Sequence, residues 1–356
     1  MSLKIGIVGA TGMVGEAFMH VLSRPNNFQA PISEVRPFAS DKSAGSKVVC
    51  LEKEWTVQSL KPGCFKGLDL VFFSSGDDIS LEWGPRAVDE GAFAIDNSAA
   101  FRMHPEHPLV VPEVNAHAIP KKEKPALIAN PNCSTIQLVV ALKPLQSLGL
   151  SEVKVASYQS VSGAGKAGRD ELIAQLKSFI REVELVDDKP RSVHFYDMLL
   201  NSKPQNVQTF PHAIAFNCLP QIGSFGADGF CSEETKIMRE TKKILEMPKL
   251  KVSAFTVRVP GLNSHSEAVW VTFDRAVTKS EIVSALQNAP GLVYVEQKNP
   301  TDYPTARQSS GTDPVYVGRL HQNAEEPNTW LMWVVADNIL KGAALNGLQI
   351  AQRIFN

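Results

Sequence analysis

Cysteine is sparse and unpaired along this chain. Five occur among 356 residues (Cys50, Cys64, Cys133, Cys218 and Cys231), with no C-x-x-C pair and no Cys/His cluster at metal-ligand spacing. Neither a disulfide framework nor a structural metal is suggested. An excess of one charge is lacking too: 36 Lys and Arg stand against 37 Asp and Glu, a formal net charge of -1, so there is no broad basic field to attract nucleic acid. No apolar run reaches the roughly 18 residues that a membrane-spanning helix needs. Met1-Ser2-Leu3-Lys4 passes straight into a strand pattern, without the features of a signal peptide. The expectation is a cytosolic protein with neither nucleic acid nor membrane as partner.

What is present is enough chain for two cores. Up to about Leu150, short apolar runs (Lys4–Val8, Leu68–Phe73, Phe93–Ile95, Ala126–Ala129) alternate with helical stretches (Gly12–Leu22, Ile79–Asp89 and Ser134–Leu148, the last kinked at Pro144). That alternation predicts βαβ units and a parallel sheet. Beyond it, longer strand-like runs at Val153–Val161, Lys251–Val259, His265–Phe273 and Trp330–Val335 mix with helical segments at Gly168–Val183, Ser232–Glu246 and Lys279–Gln287. These predict an α+β domain with a mostly antiparallel sheet. Leu185–Phe210 looks like an excursion from it, and Asp337–Phe355 like one helix with an apolar face.

Gly9-Ala10-Thr11-Gly12-Met13-Val14-Gly15 follows an apolar strand and opens a helix. Glycines there let phosphate oxygens approach the backbone, and a helix N-terminus offers free N–H groups to a pyrophosphate. The spacing is a variant of the usual dinucleotide loop. A bare tight turn would show the same glycines. Further on, Ser40, Lys42 and Ser43 stand where an adenine ribose would lie. Two hydroxyls and a lysine suit a 2′-phosphate, which favours NADP, whereas Asp41 would suit a free 2′-hydroxyl.

Asn130-Pro131-Asn132-Cys133-Ser134-Thr135 sets Cys133 at the start of a helix. The expectation is a thiol pKa lowered by the helix dipole and free amides, and therefore a nucleophile. Beside a nicotinamide, such a sulfur adds to an aldehyde, and loss of hydride then leaves a thioester for water or phosphate to release. Val252–Arg258 and His265–Phe273 look like a hairpin carrying Arg258 and His265 on its two stems, which makes His265 the candidate proton acceptor.

With these in hand, the chain resembles the aspartate-semialdehyde dehydrogenases along nearly its whole length. Besides the glycine loop and the cysteine motif, the resemblance rests on Asp96–Met103, Val111–Asn115, Tyr158–Gly165, Glu233–Lys236, Arg258–Pro260, His265–Glu267 and Asp337–Asn338, in order. It implies Cys133 as acyl-forming nucleophile, His265 as acid/base and Gln159 as the residue orienting the reacting group. Arg258 would hold the substrate carboxylate and Glu233 its ammonium. Lys236, Arg102 and Asn132 would bind phosphate. Gly9, Ala10, Thr11, Gly12, Met13 and Val14, with Ser40, Lys42, Ser43, Ser162, Gly163 and Asn338, would hold NADP.

The implied architecture is a Rossmann-type domain (residues 1–132), a catalytic and dimerisation domain (133–337) and a C-terminal helix returning to the first domain (338–356), assembled as a homodimer. The implied reaction is reduction of aspartyl 4-phosphate to the semialdehyde and inorganic phosphate. Glu233 and Lys236 could equally be an ordinary surface i,i+3 pair. N-acetyl-glutamyl-phosphate reductase and a non-catalytic NADP-binding paralogue are the competing functions. One departure is visible: Ser264 stands where the family commonly has glycine.

Overall fold

The computed structural model describes residues 2–184 and 207–356. The first half runs β1 (Leu3–Val8), α1 (Met13–Leu22), β2 (Ile32–Ala39), the ribbon β3 (Lys47–Cys50) and β4 (Lys53–Thr56), β5 (Gln58–Ser59), β6 (Leu70–Phe73), α2 (Asp77–Asp89), β7 (Phe93–Asp96), α3 (Pro112–Asn115), β8 (Leu127–Ala129) and α4 (Cys133–Leu142). Six of these strands form a wholly parallel sheet in the order β5-β2-β1-β6-β7-β8.

Both faces of the sheet are covered at its inner strands, which is why β1, β6, β7 and β8 are mostly apolar runs. Ile5, Ile7, Leu70, Phe72 and Ile95 pack on α1 through Phe18. Val8, Val71, Phe73 and Ala94 point the other way, into a core shared with Trp83 of α2 and Ile136 of α4. The expected kink at Pro144 is a change of helix type: α4 ends at Leu142 and a tight 3-10 turn carries on from Lys143 to Leu148. Proline has no N–H to donate back to the preceding turn.

The second half adds β9 (Leu150–Gln159), α5 (Gly165–Glu184), α6 (Ser232–Ile244), β10 (Lys251–Arg258), β11 (His265–Phe273), α7 (Lys279–Gln287), β12 (Leu292–Tyr294), α8 (Ala306–Ser309), β13 (Val315–Gln322), β14 (Thr329–Ala336) and α9 (Leu345–Phe355). Its sheet, β10-β9-β11-β14-β13-β12, is antiparallel at the centre and parallel in the pairs at its two edges. Of the expected excursion, residues 185–206 lie outside the described residues. Its return is anchored where Gln208 and Thr209 donate their N–H groups to Glu171 of α5.

β10 and β11 do not form the hairpin expected of them. β9 lies between the two, parallel to β10 and antiparallel to β11. The loop from Val259 to Ser264 crosses the end of β9, with Val259 N donating to Gln159 O and Val161 N to Gly261 O. Neighbours in sequence are here separated by one strand, and the inserted residue is Gln159.

The C-terminal segment is likewise not a single helix. A π turn (Leu340–Ala344) precedes α9, and α9 packs against the first sheet through Leu348, Ile350 and Ile354. The wider turn presses Gly342 onto Cys133: a Cβ there would stand 2.8 Å from the Cys133 Cβ. Beside it, the fully buried Lys341 ammonium is held by both oxygens of Glu113 (2.8 and 2.7 Å), by Asn346 and by Gln349. Four acceptors offset most of the cost of burying that charge.

Candidate active site

Register brings the site together. Gln159 pairs with Arg258 on one side and with His265 on the other, so the three side chains form one row across β10, β9 and β11. The row faces α4. Asn132 caps that helix by accepting from Ser134 N (3.0 Å) and Thr135 N (3.2 Å), which places Cys133 at the first helical position. From the other side α6 contributes Glu233, which accepts from Asn132 Nδ2 at 2.8 Å and lies 3.6 Å from Lys236. Glu233 is 6% exposed, so it is no ordinary surface charge.

Arg102 is fixed three ways. It donates to the carbonyls of Asn130 (3.0 Å) and Asn97 (2.6 Å), and Nη1 lies 3.1 Å from Glu240. The second oxygen of Glu240 accepts from Asn132 N at 2.7 Å. Glu240 escaped the sequence reading because charges on a helix usually face solvent. The available signal was spacing: Glu233, Ile237, Glu240, Thr241 and Ile244 share the buried face of α6.

A cavity of about 490 Å³ is lined by Cys133, Asn132, Gln159, Arg258, Glu233, Lys236 and Arg102 at one end. Gly12, Met13, Val14, Ser162, Gly163 and Asn338 line it towards the glycine loop. Gly9, in the left-handed region (φ 82°), would drive a Cβ to 2.7 Å from Ser74 O. Gly12 caps α1 without a side-chain bond. Glycine backbone at Gly9 and Gly12, leading into a helix N-terminus, fits a pyrophosphate. Gly9, Ala10 and Thr11 complete the loop behind that lining. Ser40 and Lys42 lie exposed, and Ser43 half-buried, in a turn after β2 that the cavity does not reach.

His265 stands behind the cavity wall, fully buried. A Cβ on Gly163 would come within 2.7 Å of Arg258 Nη1 and 3.2 Å of His265 Nε2, so a side chain there would displace the guanidinium and crowd the imidazole. His265 Nδ1 accepts from Ser160 N at 3.2 Å, which leaves the ring proton on Nε2. Ser160 and Ser162 join the side chain of Asn338, which also takes Ser264 N at 2.9 Å. Ser264 has φ 66°, a conformation that glycine adopts without cost and serine does not.

The electrostatics correct one expectation. The Cys133 thiol is pushed up to about 12, by burial first and the Glu233 carboxylate second, against the pull of Arg102, Arg258 and the helix amide. Desolvation and a facing anion outweigh the helix start, although the residue keeps an exposed edge where solvent tempers the rise. His265 is pushed down to about 3, by burial and then by Arg258. The site at rest is a neutral thiol and a neutral imidazole. Glu233→Gln should therefore speed alkylation of Cys133 by iodoacetamide at pH 8 by roughly threefold to tenfold. Pseudo-first-order rates measure this, and a slower rate would remove Glu233 as a perturber.

Comparison with known proteins agrees with this geometry. The family described as semialdehyde dehydrogenase, NAD binding domain, matches residues 4–122, and that described as semialdehyde dehydrogenase, dimerisation domain, matches residues 142–341. Aspartate-semialdehyde dehydrogenase of Aquifex aeolicus is 41% identical over 99% of this chain and 98% of its own length. That of Legionella pneumophila is 42% identical over 98% and 95%. The crystal structure of aspartate semialdehyde dehydrogenase II from Vibrio cholerae complexed with ASA is similar, with a TM-score of 0.88 and 37% identity over 99% of this chain and 98% of that one. A parallel-sheet nucleotide fold joined to a mixed sheet, with relatives matched end to end, means that the chain belongs to the aspartate-semialdehyde dehydrogenases, NAD(P)-dependent phosphorylating oxidoreductases.

Proposed function

We propose that the chain catalyses the reversible, NADPH-dependent reduction of 4-aspartyl phosphate to L-aspartate 4-semialdehyde and phosphate through a Cys133 thioester, on the route to lysine, methionine and threonine. The observation that carries this is a fixed cation, Arg258, and a fixed buried anion, Glu233, in one cavity with Cys133. An α-amino acid needs both. A substrate with an acylated amine would leave Glu233 unpaired, which disfavours the N-acetyl-glutamyl-phosphate alternative.

In this scheme the Arg258 fork takes the α-carboxylate, Glu233 takes the ammonium, and Arg102, Lys236 and Asn132 hold the phosphoryl oxygens. The Cys133 sulfur adds to the acyl carbon as its proton passes to the phosphate oxygen that will depart, and Gln159 orients the reacting group. The His265 Nε2–H donates to the tetrahedral oxyanion, and collapse then breaks the C–O bond to phosphate and leaves the thioester. The nicotinamide cofactor, when bound, supplies the hydride chemistry.

The groups that hold the substrate are also those that perturb the reacting pair. Pairing Arg258 with a carboxylate weakens what holds His265 down, and pairing Glu233 with an ammonium weakens what holds the thiol up. Of the three charges felt by Cys133, Glu233 counts for more than either Arg102 or Arg258. Substrate binding thus draws the two proton affinities together, and an analogue lacking either charge loses kcat as well as affinity.

For the cofactor, the glycine loop with Ser162, Gly163 and Asn338 would hold the dinucleotide. Ser40, Lys42 and Ser43 would meet a 2′-phosphate, which favours NADP over NAD. In domain terms this assigns residues 1–132 to the cofactor, 133–337 to catalysis and dimerisation, and 338–356 to the returning segment. A second copy would cover the outer face of the mixed sheet, where Tyr158 (40% exposed), Phe255 (56%) and Trp333 leave apolar surface open.

Initial rates with aspartate semialdehyde and N-acetyl-glutamate semialdehyde, each with NADP and NAD, test substrate and cofactor together. Aspartate semialdehyde with NADP should lead the N-acetyl substrate on the order of 10²-fold or more in kcat/KM. A preference for the acylated substrate would overturn the assignment, and equal use of NAD would remove the 2′-phosphate contact.

A further inference from the structure

Beneath the catalytic row lies an acid that the reaction as described does not use. Glu267 follows His265 by two residues on the same face of β11, opposite Ser157 of β9 and Val334 of β14. It is completely buried, and neither carboxyl oxygen has a hydrogen-bond partner among the described residues. The polar side chain that bears on it is Gln137 of α4, whose amide nitrogen and oxygen are buried and unpartnered as well. Gln137 sits one helical turn from Cys133, on the same side of the helix. Two unsatisfied groups therefore face each other, one on the strand of His265 and one on the helix of Cys133.

The surrounding charges leave Glu267 without a counterion. Arg258 on β10 donates to Ser160 O, and on α6 Glu233 is taken by Asn132 and Lys236, Glu234 by Cys231 N and Thr256 N, and Glu240 by Arg102 and Asn132. On Glu267's own strand His265 is neutral, Cys133 on α4 is a neutral thiol, and β9 and β14 present Ser157 and Val334 to it. A bare carboxylate in that setting is strongly disfavoured. A neutral carboxylic acid has one donor and one acceptor, and a primary amide offers the matching acceptor and donor. The last torsion of both side chains is broad, so a rotation there closes a two-bond ring. Burial pushes the Glu267 carboxyl well above the usual carboxylate range, with Gln137 opposing, which is consistent with a retained proton.

We propose that Glu267 and Gln137 form a neutral acid–amide clasp that fixes the nucleophile helix against the acid/base strand, making both of them positioning residues. This rests on the roles assigned above to Cys133 and His265. Difference infrared spectra at pH 7 should show the carbonyl band of a protonated, buried carboxylic acid, lost in Glu267→Gln. Glu267→Leu and Gln137→Leu should lower kcat by roughly tenfold to a hundredfold with KM for NADPH unchanged. Glu267→Gln, which keeps a donor and an acceptor, should restore most of the loss.

Absence of the band, wild-type kcat in either leucine variant, or a glutamine variant as impaired as the leucine one would overturn the clasp. If Glu267→Leu does not fold, Gln137→Leu and the infrared measurement still decide. An active Cys133→Ser enzyme would instead fail the underlying assignment, and the positioning role with it, whatever the band shows.

Discussion

Replacing Cys133 by serine should reduce phosphate-dependent oxidation of aspartate semialdehyde by at least roughly 10³-fold in kcat. Serine fits the space, so the effect is chemical: the hydroxyl is a far weaker nucleophile and gives up its proton far less readily than a thiol does. The first helical position, the Asn132 cap and the contact with Gly342 are all unchanged by the swap. The glycine loop runs from the end of β1 to the start of α1 and takes no residue from α4, so NADPH affinity by fluorescence titration should match wild type. Turnover within tenfold of wild type would remove Cys133 as the nucleophile. Lost cofactor binding would mean that the variant had perturbed the fold.

His265→Gln should lower kcat by about 10²–10⁴-fold in both directions, with KM for the semialdehyde little changed, because the proposed scheme gives the substrate to Arg258 and Glu233 rather than to His265. The pH dependence follows from the depressed imidazole. A histidine whose pKa is pushed down to about 3 stays neutral throughout the range above it, so the free enzyme should show no acid limb from His265 near the ordinary value of 6.5. A limb of kcat/KM near that value that disappears in His265→Gln would show that the imidazole is far better solvated than its burial suggests.

Much of this was legible in the residue order, for identifiable reasons. Parallel strands covered on both faces are unbroken apolar runs, so β1, β6, β7 and β8 stood out, and α7 begins and ends where periodicity placed it, at Lys279 and Gln287. Cys133 was found because a helix start follows directly from Asn132 and the apolar run behind it. What escaped was long-range or locally irregular. β13 was missed because Arg319 takes a positive φ and the register with β14 slips between Gly318 and His321, which breaks the alternation. The place of β9 between β10 and β11 leaves no trace in local pattern.

The chemistry divided along the same line. The direction of the Cys133 shift could not be read from its helix, because it depends first on burial and then on Glu233, a hundred positions away in sequence and bonded to the neighbouring Asn132. Glu240 and Glu267 look like surface carboxylates in a string of letters. Apart from the helical spacing of Glu240, what distinguishes them is burial, and burial is a property of the assembled layers.

The insertion of β9 between β10 and β11 also bears on how the enzyme comes into being. Arg258, Gln159 and His265 can line up only after the chain has closed the long loop from Gln159 to Lys251, a non-local contact whose entropy cost is met before any pairing compensates for it. Cys133, by contrast, needs only its own short strand and helix. Until that loop closes, the helix of Cys133 has no fixed relation to the row of Arg258, Gln159 and His265.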